Sequence, residues 1–474
     1  MIEDMERMMP EQSPKILDGM SELMVFSNYP EAKNIMLFGF DLEGSVNIEA
    51  MNLALKKTLP SFPQFLSSVK EGGFKGERRL TWFPEPDFQP QLRISNLEIT
   101  DSSIPFQHSL LLSLDKSLEK DWDLLRTVPT EFHLIHLPDG RSSLLTMVHH
   151  AAADGWTLSA FYQELLAHYH KIVTGEEPEW AGESLHAPTL KKQMVQLKRR
   201  IWSDAIFFVK KTLSPYINRP TLPKGSGKQQ EGGVHYFKSV LTSEQTDNVV
   251  KNVSRRGGPF IDALLGGLGA TVDKWNASLN LPPGNIVICV TVQLRGRFGE
   301  SEAPTNTSSL VLKFTPGERS NPELFSRSVA RRRQDQLESL FDVKTWQAGC
   351  SLADAIRVLP LPVRQRIVHF VCQMPIIPIL IAPFGMMWPE IKEGRRTGDS
   401  YLKQAGGLIL NEFHAIPYKL GYRCPLILGA YTFRKRLNLQ LMASANHFTR
   451  AETERFVTLL GEILVKEPFG DRCS

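Results

Sequence analysis

The chain has 474 residues, of which 42% are hydrophobic and 22% charged, and its formal net charge is +4. That length exceeds what one core usually serves and suits two lobes, while the composition is that of a soluble globular protein. The small charge gives no reason to expect a nucleic-acid partner. Five cysteines, odd in number, widely spaced and without a CxxC pair, support neither a disulfide framework nor a zinc site, so a reducing compartment is the default.

The first fourteen residues are polar and mixed in charge, without the basic end and apolar core of a secretory signal, and a cytoplasmic location is expected. An apolar run over 35–42 predicts a strand, and 48–59 a helix closed by Pro60-Ser61-Phe62-Pro63. Residues 131–137 alternate, Pro138-Asp139-Gly140-Arg141 carries turn chemistry, and 143–148 is branched and apolar: a hairpin leading into His149. After Gly155 the apolar positions Leu158, Phe161, Tyr162, Leu165, Tyr169 and Ile172 recur at helical spacing until Thr174-Gly175.

The segment His149-His150-Ala151-Ala152-Ala153-Asp154-Gly155 therefore sits at a strand-loop-helix junction. Its HHxxxDG pattern is expected by chance in about one chain in a thousand of this length. A strand end can hold one side chain rigidly while the loop opens a cavity, and Gly155 leaves backbone amides accessible to a reacting oxygen. His150 is the candidate general base, able to take a proton from an alcohol or amine as it attacks a thioester and return it to the departing sulfur. Asp154 is read as turning away to pair with an arginine and fix the loop. The bland alternative makes His149 and His150 buried histidines bonded to backbone, with Asp154 capping a helix that starts near Thr157.

Beyond the motif, Gly175-Glu176-Glu177-Pro178 breaks the helix, and the first lobe is placed at 1–180. Residues 181–233 hold a basic amphipathic stretch at 190–213, suited to a connecting helix or to an anionic membrane, and then a Pro/Gly/Gln-rich segment at 214–233 that reads as a mobile linker. The second lobe, 234–474, opens with a strand at 235–241 and a helix start at Thr242-Ser243-Glu244-Gln245. Gly266-Gly267-Leu268-Gly269 lies inside an apolar helical run and reads as close helix packing, and Gly225-Ser226-Gly227-Lys228 lacks the rest of a phosphate loop. No Asp, Glu, Lys or Arg occurs between Arg366 and Glu390, but Pro375, Pro378 and Pro383 argue for a bent apolar element rather than a membrane span.

With these motifs in place the chain resembles, over almost its full length, the superfamily of condensation domains and chloramphenicol-acetyltransferase-like acyltransferases. Residues 21–67 look like that family's first strand and helix, and the segment from Pro259 to Trp275 like the helix opening the second lobe. Residues 286–296 resemble its arginine-ending strand, which implies that Arg295 or Arg297 pairs with Asp154. Thr305-Asn306 stands where relatives carry Gly-Asn, and Leu410-Asn411 where they carry Ser-Asn, so Asn306 and Asn411 are supporting candidates and the Asn411 strand is expected at the tunnel. The resemblance implies an α/β fold with mixed sheets, in which two lobes form a V around a tunnel. More than three hundred residues follow the motif, which implies both lobes in one chain, and no late DFGWG motif of the plant-type branch is found.

What the resemblance implies chemically is an acyltransferase that moves an acyl group from a thioester to the hydroxyl or amine of a hydrophobic acceptor. Acyl coenzyme A is the expected co-substrate, with an acyl carrier protein thioester as the alternative. No metal and no bound cofactor are needed. A monomer is expected, with peripheral membrane contact open. The rival readings are carrier-dependent condensation and a non-catalytic condensation-like binding module.

Overall fold

The computed structural model describes residues 15–28, 33–72, 78–85, 88–98, 106–114, 117, 118, 120–180, 203, 204, 206, 207, 210, 220–227, 233–256, 258–295, 306–373, 377–392, 395–418 and 424–466. Its strands before the motif are β1 (Lys15–Ile16), β2 (Ile35–Glu43), β3 (Ser67–Gly72), β4 (Arg79–Pro84), β5 (Leu92–Asn96), β6 (Thr130–His136) and β7 (Ser142–His149). After the motif helix Gly155–Thr174 come β8 (Val234–Val240), β9 (Ile286–Gln293), β10 (Thr307–Phe314), β11 (Ile379–Met386), β12 (Pro389–Lys392), β13 (Arg395–Ser400), β14 (Gln404–Ala405), β15 (Leu408–Tyr418), β16 (Leu426–Phe433) and β17 (Arg436–Ser444). Two six-stranded sheets dominate, in the orders β14-β15-β2-β7-β6-β5 and β10-β9-β11-β16-β17-β8.

The expected hairpin is β6–β7, antiparallel from Thr130 opposite Val148 to His136 opposite Ser142, and Gly140 turns it with φ of 84°. β2 is central, and its apolar run follows from burial on both faces. Met36, Phe38, Phe40 and Leu42 pack in the first core with the motif helix, while Ile35 and Leu37 face a smaller cluster shared with Tyr236, Ile427 and Met442 of the second sheet. In the second lobe the helix Phe260–Ser278 packs as the glycine run predicts: a Cβ on Gly267 would come 2.6 Å from Leu464, and one on Gly269 would come 2.4 Å from Phe325. Before it, Thr242 and Gln245 exchange the capping-box hydrogen bonds that start the helix Ser243–Arg256.

Two expectations differ from what is found. The lobes are not divided simply along the chain, because β14 and β15, from the 234–474 segment, complete the first sheet against β2. The 214–233 segment is not loose where it is described. Thr221 N–H donates to Asn285 O (2.6 Å), Trp275 Nε1 donates to Lys224 O (2.7 Å) and Ser226 N–H donates to Glu452, so the segment lies along the second lobe. The glycines there permit the approach, since a Cβ on Gly225 would stand 2.2 Å from the His447 carbonyl oxygen. The apolar 366–390 stretch divides into the end of the helix Leu361–Gln373 and strand β11, and among the described residues no helix is long and apolar enough to cross a membrane. Most of the basic 190–213 stretch lies outside the described residues.

Candidate active site

β7 ends at His149, which is fully buried; its main-chain N–H donates to Pro129 O (2.8 Å), and its Nδ1 accepts the Ala151 N–H (3.1 Å). That acceptor role puts the ring proton of neutral His149 on Nε2. His150 N–H donates to Asn34 O (2.7 Å), pinning the loop to the start of β2. Ala151, Ala152 and Ala153 are wholly buried in the first core, whereas His150 and Gly155 stay partly accessible. Three alanines thus draw the loop inward and leave one imidazole at its rim.

Asp154 does two jobs. As N-cap of the motif helix its Oδ1 accepts from Thr157 N (2.8 Å) and from the Thr157 hydroxyl (3.0 Å). The same oxygen accepts from Arg295 Nη1 (2.8 Å), while Arg295 Nη2 donates to Thr157 Oγ1 (2.9 Å). Its Oδ2 accepts from Asn306 N (3.1 Å) and Gln293 Nε2 (3.2 Å). Burial pushes this carboxyl up, but the Arg295 guanidinium and the Thr157 and Asn306 amides outweigh it and hold the group below its usual 3.8. The helix begins at Gly155, so the cap and the arginine pair are both present in one carboxylate.

Arg295 is therefore the arginine seen pairing with Asp154, and Arg297 lies outside the described residues. Asn306 reaches the site through its backbone, whose carbonyl also accepts Leu294 N–H (2.7 Å). Asn411 does not reach it. It is the extra residue where the β15–β2 register shifts, and its side chain donates to Glu43 Oε2 (2.9 Å), at the opposite end of β2 from the Ile35–His149 pair. β15 runs antiparallel to β2, so the motif-side end of β15 is Tyr418 rather than the Asn411 end. Gln293 and Thr157 were not singled out from the sequence. Gln293 carried a signal, since it lies two residues before Arg295 and so shares its strand face.

The two sheets meet at this junction in a specific way. β9 and β11 pair in parallel only from Ile379 opposite Ile288 to Ile381 opposite Val290. Beyond that point β9 continues against β10 and β11 continues against β16, with Pro383 offering no N–H and a register shift between Pro383 and Gly385. The start of the motif helix lies where the pairing stops. Gln293 on β9 holds Asp154, and the Phe384 ring on β11 lies against Gly155, where a Cβ would come 2.4 Å from its Cε1. One turn on, the buried Trp388 indole donates to Ser159 O (3.2 Å).

Among the described residues, Asp41, Glu412 and His414 could gather ligand atoms within 4.8 Å of one another. Lys238 Nζ already lies 3.0 Å from Glu412 Oε2, and His414 Nε2 is 2.9 Å from Asp41 Oδ1, so the cluster reads as an internal charge network joining the two sheets. It stands at the Asp41 end of β2, away from His149.

No family model matches the chain. It covers at most 5% of the curated relatives it matches; the trichosetin synthetase of Gibberella fujikuroi is 26% identical over 181 residues, which is 35% of this chain and 5% of that protein. Solved structures align along nearly the whole chain. The first condensation domain of the CDA synthetase superposes with a TM-score of 0.66 at 16% identity, covering 97% of this chain and 98% of that one. The chain has the condensation-domain fold. The trichothecene 15-O-acetyltransferase TRI3 of Fusarium sporotrichioides aligns with a TM-score of 0.62 at 14% identity over 95% of this chain and 94% of its own. The condensation fold thus comprises two chloramphenicol-acetyltransferase-like lobes, here with β14–β15 of the later segment built into the first sheet.

Proposed function

We propose that this protein is an acyltransferase that moves an acyl group from a thioester, with acyl coenzyme A as donor, to a hydroxyl or amine of a hydrophobic acceptor, and that His150 is its general base. The observation that carries the reading is the division of labour in the motif loop. Asp154 has its oxygens committed to Arg295, Thr157, Asn306 and Gln293, which leaves the accessible His150 as the motif's proton carrier. The His150 imidazole takes the acceptor proton as the acceptor oxygen or nitrogen bonds to the thioester carbonyl carbon. Backbone N–H near Gly155 steadies the tetrahedral oxyanion. Collapse breaks the carbon–sulfur bond, and the imidazolium returns its proton to the leaving thiolate.

A carrier-borne donor is the second reading, favoured by the condensation domain and the synthetase among the similar proteins. The test is thiol release and product mass with acetyl, octanoyl and palmitoyl coenzyme A and a pool of alcohols and amines. His150→Ala is expected to lower acceptor-dependent release by about 100- to 10,000-fold. Release unchanged in that variant would overturn His150 as base. No release with any coenzyme A donor, but release with an acyl carrier protein, would select the second reading.

A further inference from the structure

The Phe384 ring of the second sheet stands against the motif loop at Gly155, and the local shape of β11 puts it there. It is the extra residue of the bulge between Pro383 and Gly385, and Gly385 takes φ of 74°, which glycine adopts readily. The strand beyond it is fixed by Trp388, wholly buried and bonded to Ser159, so the backbone that carries the ring is anchored on the same helix that the ring touches. The ring is partly exposed, 6.1 Å edge-on from Phe38, and near enough to Gly429 that a Cβ there would lie 3.7 Å from its Cε2.

We propose that Phe384 is the specificity-determining wall of the site, closing the space beside Gly155 and restricting the site to donors with short acyl chains. This rests on the acyl-transfer reading above. If the oxyanion is held at Gly155 and the carbonyl carbon lies within reach of His150, the first carbons of the acyl chain run past Gly155 and meet the ring. Replacing Phe384 with alanine removes six carbons of side chain and opens room for a longer chain, whereas Phe384→Leu keeps most of the obstruction.

The experiment compares the native protein, Phe384→Leu, Phe384→Ala and His150→Ala with acetyl, octanoyl and palmitoyl coenzyme A. It reads both thiol release and calorimetric binding of each thioester. The expected result is an octanoyl-to-acetyl ratio of kcat/KM raised at least about tenfold in Phe384→Ala, little changed in Phe384→Leu, and matched by tighter octanoyl binding. A second arm uses the close contact: Gly155→Ala loses acetyl transfer because its methyl meets the ring, and Gly155→Ala with Phe384→Ala recovers part of it. If release depends on His150 while the chain-length ratio stays the same in Phe384→Ala, the wall is overturned and acyl transfer stands. If nothing is released but Phe384→Ala gains octanoyl binding, acyl transfer from coenzyme A fails and the wall stands. No binding and no release by any variant overturns both.

Discussion

Asp154 is 1% exposed, and its charge is held by donors from three separate stretches of chain: Thr157 on its own helix, Gln293 and Arg295 at the end of β9, and Asn306 before β10. A buried carboxylate so paired stabilises the fold only while it is ionised. Its pKa is depressed below 3.8, so its contribution is present above that value and is lost as pH falls through the depressed one. Arg295→Ala removes the main counter-charge and should cost about 3 kcal/mol at neutral pH. Without the guanidinium, burial raises the Asp154 pKa in the variant, which then takes up a proton before the native protein does, so the stability gap measured by denaturant unfolding should narrow as pH is lowered through that raised value. A gap independent of pH would show that Arg295 acts by packing instead. At this scale the HHxxxDG motif was legible from the sequence, while the resemblance left Arg295 and Arg297 both open as the partner of Asp154 and the structure shows Arg295 there. Gln293 was legible only as a strand-face neighbour of Arg295; that it reaches Asp154, 139 positions away, is set by how two sheets meet.

At the scale of elements, hydrophobic period placed the β6–β7 hairpin and the motif helix close to where they stand, and the resemblance did so for the helix Phe260–Ser278. Local pattern could not say which end of a strand faces the site. Asn411 lies on a strand that does join the first sheet, yet antiparallel pairing carries it to the Glu43 end of β2. Asn411→Ala is therefore expected to leave both acyl transfer and its pH profile unchanged, and to alter stability by less than about 0.5 kcal/mol, since the lost hydrogen bond is exposed. A large fall in kcat with an intact fold would contradict this placement. The 220–227 stretch shows the opposite failure of local reading: proline and glycine suggested slack, but the glycines let the backbone lie within bonding distance of the second lobe.

At the scale of the molecule the two sheets are bound by exchange of chain. β14 and β15 leave the second half to pair with β2, Lys238 of β8 reaches Glu412 of β15, and Tyr431 of β16 donates to Phe413 O. A fragment of residues 1–180 would expose the edge of β2 and the apolar surface that β15 covers, so it should aggregate or remain unfolded when made alone. Co-expression with 234–474 should return it to solution, as read by circular dichroism and sedimentation. A 1–180 fragment that folds alone would mean that β15 is dispensable to the first core.

The sequence by itself determined the motif and the strand-loop-helix that carries it, because each depends on residue type and spacing over a few turns or strands. Tertiary structure alone decided which residues share the site. The parting of β9 from β11 past Ile381, the bulge that brings Phe384 to Gly155 and the register that removes Asn411 are pairings between distant segments. Such pairings are set by packing across the whole core, and a strand's own pattern of apolar and polar residues is the same whichever neighbour it finds.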